Sequence, residues 1–522
     1  MNLKNNPAET TKLRTVQDKL KTVAEVATIV RNCKAKGETV VMAHGVFDLV
    51  HMGHVRHLQA ARREGTVLVV TTTADKHVHK GPGRPVFPQE LRAEMLAALE
   101  YVDWVAINPK QDAVELLNEI QPNVYVKGSD YEAPEDDITG MISAEKKAVE
   151  AHGGTLVLTK GITFSSSALI NQHFDIHEPG LRNYLGNVRD AGGLKVMQEL
   201  IEKVSEYSVL MVGDVIIDEY QYVSPLGKSP KENMIATLSK GKELFAGGVI
   251  AAANHAAGLC KDVEIVTVLG KNNSYEKLVR DSLKPNVKLT VIYRDNAPTT
   301  RKTRFVESSY FHKLFEVYEM DDTPLDAQPE DELNKVITEK SDKADITIVT
   351  DFGHGLISDG TIEVLVDHSK FLAVNTQSNS ANAGFNLISK YPRADFLCID
   401  APEARLATAD KHSDISDIAA KKIPEIIDCS QFIITQGNLG CTSYDKNSGV
   451  HQIPAFASTV VDTVGAGDAF FAISAPIAAA GGAMEEVGFI GCAAGAIKVG
   501  IVGHRQSVDK IPLMKYLTTL LK

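Results

Sequence analysis

Two stretches of this chain carry residue types and spacings suited to phosphate chemistry. In "HGVFDLVHMGH" (44–54), His51 and His54 stand three apart with Gly53 between them, where a strand pattern gives way to a helix pattern. A helix N-terminus offers N–H groups without intrahelical partners and a partial positive charge, both of which favour a phosphate. Gly53 lets a ligand come close to the backbone, and two imidazoles can donate to one oxyanion. A metal would need a third protein ligand and usually a longer spacing, such as HExxH; no Glu lies inside this pair. Plain packing is the other use of such histidines, and it is the reading that fits His44 and His57, which lie outside the pair.

The second stretch is "VVDTVGAGDAFFA" (460–472). Gly465, Ala466 and Gly467 permit a tight turn whose amides converge on one spot, with a helix expected to open at Asp468. An anion hole beside a carboxylate suits phosphoryl transfer: the amides hold the transferring group and Asp468 takes the hydroxyl proton. A glycine turn with an aspartate capping the next helix is the plain structural alternative.

Parallel α/β architecture would position both. From Thr39 short apolar runs alternate with amphipathic segments: "TVVMAHGVF", "VLVVTTTAD", "VDWVAI", "NVYVKGSD" and "TLVLTKG" as strands, with helix patterns between them. This is the signature of a parallel sheet covered on both faces. The Pro-, Gly- and charge-rich region 175–193 breaks the rhythm, and a second α/β series starts at "YSVLMVGDVIID". The expected organisation is a helical leader (1–38), a first domain (39–175), a linker (176–194) and a larger second domain (195–522). Two domains also suit a 522-residue chain that is 44% hydrophobic, since single cores rarely grow past about 250–300 residues.

The formal charge of −12 argues against a nucleic-acid surface, while leaving room for nucleotides held by local amides and cations. Six scattered cysteines without a CxxC pair read as reduced, mostly buried thiols of a cytoplasmic protein. The polar N-terminus lacks the apolar core of a signal peptide. The uncharged run Ala469–Met484 holds 16 residues and is interrupted by Pro476 and Gly481–Gly482; a spanning helix needs roughly 20, so a buried helix is expected and no membrane partner.

"HGVFDLVHMGHVRHLQAAR", followed in order by "KGPGRPVFPQELRAEMLAALEYVDWV", "VYVKGSDY" and "ITFSSSALI", resembles the HxGH nucleotidyltransferases of the cytidylyltransferase-like group. Within it the likeness is to the transferase half of the bifunctional heptose-phosphate kinase/heptose-1-phosphate adenylyltransferases. The resemblance implies a Rossmann-like domain in which His51 and His54 bind the triphosphate and stabilise the pentacoordinate α-phosphate. It implies that Gly45, Phe47 and Asp48 shape the first turn, that Lys80 approaches the phosphates, that Arg92 fits the basic position of the following helix as a nucleotide-binding residue, and that Lys127, Gly128 and Asp130 lie against the nucleotide. Ser165, Ser166 and Ser167 stand where the family has a triplet ending in Thr that opens a helix on the phosphates.

"VVDTVGAGDAFFA" resembles the signature of ribokinase-type (PfkB) sugar kinases, and the rest of that pattern follows across most of 208–512. "GDVIIDEY" supplies Asp214 and Asp218, the second matching a sugar-binding aspartate. "AGGVIAAANHA" gives the double glycine Gly247–Gly248. "TTRKTRFV" puts Lys302 and Arg304 on a strand near the phosphoryl path, and "DFGHG" matches an Asp-bearing strand end. "IDAPEA" sets Asp400 and Glu403 in the spacing of a metal-linked NxxE motif. "TQGNLG" sets Thr435, Gly437 and Gly440 in a nucleotide loop.

Departures accompany the likeness. Ala251 replaces a sugar-binding Asn, Asn375-Thr376-Gln377 stands where the heptose kinases have Asp-Pro-Lys, Asp400 replaces the Asn of NxxE, and "SPKENMIATL" differs from their sugar-lid stretch. The kinase also follows the transferase here, the reverse of the heptose enzymes' order.

The resemblance implies a bifunctional enzyme of nucleotide-sugar synthesis using ATP with Mg²⁺. One half would phosphorylate the C1 hydroxyl of a sugar phosphate, with D-glycero-D-manno-heptose 7-phosphate as the guess. The other would join a sugar 1-phosphate to a nucleoside monophosphate, releasing pyrophosphate and giving an ADP-heptose-like product. CTP as donor, another sugar, a catalytically silent sugar-binding kinase half, and a non-enzymatic interaction protein on old enzyme folds stay open at this point. Ribokinase-type proteins often pair, so a homodimer is a family expectation.

Overall fold

The computed structural model describes residues 14–78, 84–110, 112–128, 141–159, 178–457 and 459–522. The chain divides into two compact units, Met1–Arg182 with Met514–Leu520 and Lys522, and Asn183–Leu513 with Leu521.

In the first unit, β1 (Val40–Gly45), β2 (Val67–Thr73), β3 (Trp104–Asn108), β4 (Val124–Lys127) and β5 (Thr155–Leu158) form a parallel sheet in the order β3-β2-β1-β4-β5. Side chains of a strand alternate between faces, and both faces are covered. Val41 and Ala43 pack with Leu58, Leu68 and Leu96, whereas Val40 and Met42 pack with Val26, Leu116 and Tyr125. Burying each such Val or Leu contributes about 1.5–3 kcal/mol. The strand order reverses between β1 and β4, and in open α/β sheets ligands bind beyond the strand C-termini at such a switch point. Gly45, at the end of β1, lies there.

The segment expected as a leader is part of this domain. The helix Val23–Ala35 has a Thr22/Glu25 capping box at its start and buries Val26 and Val30 under the sheet. The segment expected as a linker is also helical, over Pro179–Asp190, with Pro179 at its first position, where a missing N–H costs nothing.

The second unit holds β6 (Ser208–Gly213), β7 (Val215–Lys228), β8 (Ile235–Gly248), β9 (Asp262–Asn272), β10 (Val287–Pro298), β11 (Arg301–Glu307) and β12 (His312–Glu319). They are followed by β13 (Ile346–Asp351), β14 (Leu372–Thr376), β15 (Phe396–Asp400), β16 (Gln431–Thr435), β17 (Cys441–Asp445) and β18 (Gly449–Ile453). The main sheet runs β10-β9-β6-β13-β14-β15-β16-β17-β18, its pairings parallel except for β16–β17 and β17–β18, so that β17 alone runs the other way. A second sheet, β12-β11-β7-β8, carries Asp218 and the double glycine. In the main sheet the order reverses between β6 and β13, so the ends of β6, β13, β14, β15 and β16 present Asp214, Asp351, Thr376, Asp400 and Thr435 along one edge.

The apolar run near the C-terminus forms the helix Ala466–Ala479, with Pro476 buried inside it, and the helix Met484–Lys498 follows. Among the described residues, no helix is long and apolar enough to cross a membrane. All six cysteines are free, five of them buried.

Candidate active sites

At the end of β1 the chain turns sharply: Phe47 has φ +49 and is buried. Asp48, also buried, accepts from Val86 N–H at 2.6 Å and pairs with Arg84 at 3.4 Å, which ties this turn to the segment before the next helix. His51 is the N-cap of the helix Met52–Arg63, its Nδ1 accepting from Gly53 N–H at 3.0 Å. A neutral imidazole that accepts at Nδ1 carries its proton on Nε2, and burial holds His51 below the ordinary histidine value. The rings of His51 and His54 stack with centroids 4.1 Å apart, and Phe47 meets His54 edge-on at 5.2 Å. Two imidazoles are thereby held side by side at a helix N-terminus, an arrangement that can donate to adjacent phosphate oxygens.

His44 and His57 bond to threonines, His44 to Thr71 at 2.9 Å and His57 to Thr159 at 2.8 Å, in keeping with packing roles. Arg92 differs from its family expectation. It is fully buried, and all five of its N–H donors go to the protein: Phe87 O, Val46 O, Thr72 Oγ1, Thr73 O and Asp75 Oδ1. It fastens the turn after β1 to the end of β2. Lys127 pairs with Glu145 at 2.9 Å, and a Cβ on Gly128 would meet open space. Lys80, Asp130 and Ser165, Ser166 and Ser167 lie outside the described residues.

In the second unit Gly465 is the N-cap of the helix Ala466–Ala479, with φ +75. That helix starts two residues before the expected Asp468, because the left-handed Gly465 already turns the chain into it. Asp468 therefore sits in the first turn, among N–H groups that have no intrahelical acceptors. A Cβ on Gly465 would come 2.7 Å from His504 Cε1, whereas one on Gly467 would meet nothing within 4 Å. Gln377, at the end of β14, donates its amide N–H to Asp468 Oδ1 at 2.6 Å. Burial holds Asp468 above the usual carboxylate range, against the pull of His504 and Gln377, a direction that would suit a proton acceptor near neutral pH.

Asp400 caps the helix Ala401–Ala407 in a box with Glu403. Burial and Asp400 beside it push Glu403 up to about 8, and burial raises Asp400 too. Asp468 adds to the same field. Glu403 already accepts from Ser378 N–H at 2.9 Å and Asp400 N–H at 2.8 Å, and Asp400 from Glu403 N–H at 2.8 Å. Among the described residues no group of three or more His, Cys, Asp or Glu is placed to hold a metal ion directly, so what the pair offers a hydrated cation is its remaining oxygen lone pairs, through water. Thr435 stands beside Asp400 in register, and Gly437 and Gly440 shape the following turn at φ +59 and +95.

Asp218 is buried, with Arg304 on Oδ1 and His504 Nε2 on Oδ2 at 3.0 Å. Burial alone would raise it, yet the Arg304 guanidinium and the hydrogen bond with His504 hold it far below the usual range. Both oxygens of this expected sugar contact thus already have protein partners. Gly247 is required beside it, since a Cβ there would lie 2.3 Å from Asp218 Oδ2, and Gly248 has φ +60. Buried Lys302 faces the Tyr318 ring at 5.0 Å. Sequence reasoning missed His504 and Lys498. Lys498 had a signal, as the one charged residue between Val487 and Gly503; His504 had none.

Residues 207–511 match the model of the pfkB family carbohydrate kinases, and residues 42–172 match the cytidylyltransferase-like model. Among curated relatives, the chain is similar to the bifunctional protein HldE of Alcanivorax borkumensis, 40% identical over 133 residues, 25% of this chain and 26% of that protein. The HldE of Methylobacillus flagellatus is 41% identical over 143 residues (27% and 28%), and that of Vibrio vulnificus 42% over 140 (26% and 28%). The chain spans a little over a quarter of the length of the curated relatives it matches. Solved structures similar to it include Arabidopsis thaliana ribokinase complexed with ribose and ATP, with TM-score 0.46 and 20% identity over 61% of this chain and 99% of that one. Escherichia coli phosphofructokinase-2 in complex with fructose-6-phosphate has TM-score 0.48 and 13% identity over 61% and 100%.

Proposed function

Because the chain belongs to the pfkB carbohydrate kinase family and carries a cytidylyltransferase-like domain ahead of the kinase, we propose that it is a bifunctional enzyme making a nucleotide-activated sugar. In the kinase half, Asp468 takes the proton of the sugar's C1 hydroxyl as that oxygen attacks the γ-phosphorus of ATP, the bond to the β,γ-bridging oxygen breaks and ADP leaves. The amides of the 465–468 turn receive the developing charge on the transferring group. Asp400 and Glu403 are the residues that would hold Mg²⁺, which supplies charge neutralisation on the phosphates when bound.

In the transferase half, an oxygen of the sugar 1-phosphate attacks the nucleotide's α-phosphorus and pyrophosphate leaves. His51 and His54 donate to the phosphate oxygens there, so catalysis is positioning and charge stabilisation with no covalent enzyme intermediate. The substrate pair we favour is D-glycero-D-manno-heptose 7-phosphate for the kinase and, after loss of the 7-phosphate to another protein, heptose 1-phosphate with ATP for the transferase. The likeness to HldE proteins supports that choice.

The observation that carries the reading is that one chain holds both a stacked His51–His54 pair and a buried Asp468, each at the N-terminus of a helix. The test is a mass-spectrometric assay of the full chain with ATP or CTP and a panel of heptose, hexose and pentose phosphates. Sugar 1-phosphate and nucleotide-sugar products are expected; absence of both across the panel refutes the proposal. A second reading, a silent sugar-binding kinase half, is favoured by the full engagement of Asp218. It requires nucleotide-sugar formation from added sugar 1-phosphate with no ADP formation on any sugar or sugar phosphate whose C1 hydroxyl is free.

A further inference from the structure

Behind the glycine turn of the kinase half lies a pair of buried opposite charges that grip the same two pieces of backbone. Lys498, with no exposed surface, donates from Nζ to Val464 O at 2.7 Å and to Gly503 O at 2.8 Å. Asp462, 2% exposed, accepts from the N–H of the same two residues, Val464 at 3.1 Å and Gly503 at 2.8 Å. Lys313 of β12 and the Tyr220 hydroxyl of β7, each at 2.7 Å, complete the Asp462 carboxylate. A buried ammonium is costly unless it is fully engaged, so its placement here calls for a use.

Peptide geometry supplies one. In a trans peptide the C=O and the following N–H point in opposite directions. Holding Val464 O towards Lys498 therefore turns the Gly465 N–H away from it, and Gly465 is the residue that opens the helix bearing Asp468. Holding Gly503 O fixes the next residue, His504, whose ring packs against Gly465 and whose Nε2 meets Asp218. The Lys498 stem reaches the same place: a Cβ on Gly465 would come 3.3 Å from its Cε. One ammonium thus fixes both the amide turn and the histidine beside the expected sugar-binding aspartate.

We infer that Lys498 is a positioning residue for phosphoryl transfer, its ammonium aiming the Gly465 amide and seating His504 against Asp218. The inference rests on the kinase reading above. It is tested on the full chain with the sugar phosphate that the unmodified protein phosphorylates fastest, measuring ADP formation, with pyrophosphate release by the transferase half as an internal control. Lys498→Met, similar in length but uncharged, is expected to lower kinase kcat about 10²-fold, the size of loss for one misplaced anion-hole donor. The KM for ATP and the pyrophosphate release are expected to stay within about threefold.

Lys498→Ala, which leaves a cavity, is expected to regain at least about tenfold in kcat with ethylammonium and not with tetramethylammonium, which cannot donate a hydrogen bond. Thermal unfolding of Lys498→Ala with either ion reads the same cavity if the variant folds poorly, and stabilisation by ethylammonium alone is expected. An unchanged kcat in Lys498→Met, a loss confined to KM, or equal effects of the two ions overturns the inference while leaving the kinase reading intact. No phosphorylation of any sugar by the unmodified protein overturns both.

Discussion

The Gln377 side chain donates to Asp468 Oδ1 across 2.6 Å, joining the end of β14 to the first turn of the helix Ala466–Ala479. This is the place where the heptose kinases' Asp-Pro-Lys is missing, and the replacement still reaches the proposed base. Gln377→Leu removes a donor that stabilises the carboxylate, so Asp468's already raised pKa rises further. The acid limb of the kinase pH–rate profile is expected to move to higher pH, with kcat at pH 7 down about tenfold, whereas Asp468→Asn lowers it about 10²–10⁴-fold. An unmoved acid limb in Gln377→Leu would show that the bond does not tune the base.

Gly465 and Gly467 make a paired test. Alanine at 465 must adopt φ +75 and meet His504, so Gly465→Ala is expected to cost about 1–2 kcal/mol in denaturant-measured stability together with kinase activity. Alanine at 467 has space in the protein, and Gly467→Ala is expected to fold normally yet lose kinase turnover because its methyl enters the anion's place. Full activity in Gly467→Ala argues against an anion at that turn.

In the other unit, His54→Ala is expected to reduce pyrophosphate-releasing turnover about 10²–10³-fold while the circular dichroism melt and kinase rate hold. A transferase rate equal to that of the unmodified protein would remove His54 from the chemistry.

Arg92→Met tests support against ligand contact. Losing five buried hydrogen bonds leaves the carbonyls of Val46, Phe87 and Thr73 without this partner. A cost of about 2–4 kcal/mol in urea-measured stability is expected. Retained stability with a large loss of nucleotide affinity would favour a phosphate contact instead.

Asp214 makes stability depend on pH. Burial and the neighbouring Asp351 lift its folded pKa to about 7, against 3.8 for the free group. The folded chain therefore holds a proton that the unfolded chain releases, and stability falls as pH rises from about 4 to 7. Asp214→Asn is expected to flatten that fall, gaining on the order of 3 kcal/mol at pH 7.5 relative to pH 4. Parallel urea-midpoint curves for the two proteins across this range would contradict the assignment.

Local pattern was enough for the two α/β units and for the helix entry at His51, because strand alternation, glycine and histidine spacing act over a few residues; at the glycine turn it put the helix start at Asp468, two residues beyond Ala466. It also located Gln377 as a departure. What those residues touch was not legible. Gln377 and Asp468 lie 91 positions apart and meet where the end of β14 faces the helix Ala466–Ala479; His504 and Asp218 lie 286 apart and meet where β7 of the second sheet faces the turn after the helix Met484–Lys498. Arg92 looked like a phosphate ligand because its sequence neighbourhood does not reveal five internal acceptors. Lys498 looked like one charge in an apolar run, because the carbonyls that hold it belong to turns set by the fold. Residue types and spacings fixed which groups were available for phosphate chemistry; burial and long-range packing decided which of them face a ligand and which hold those in place.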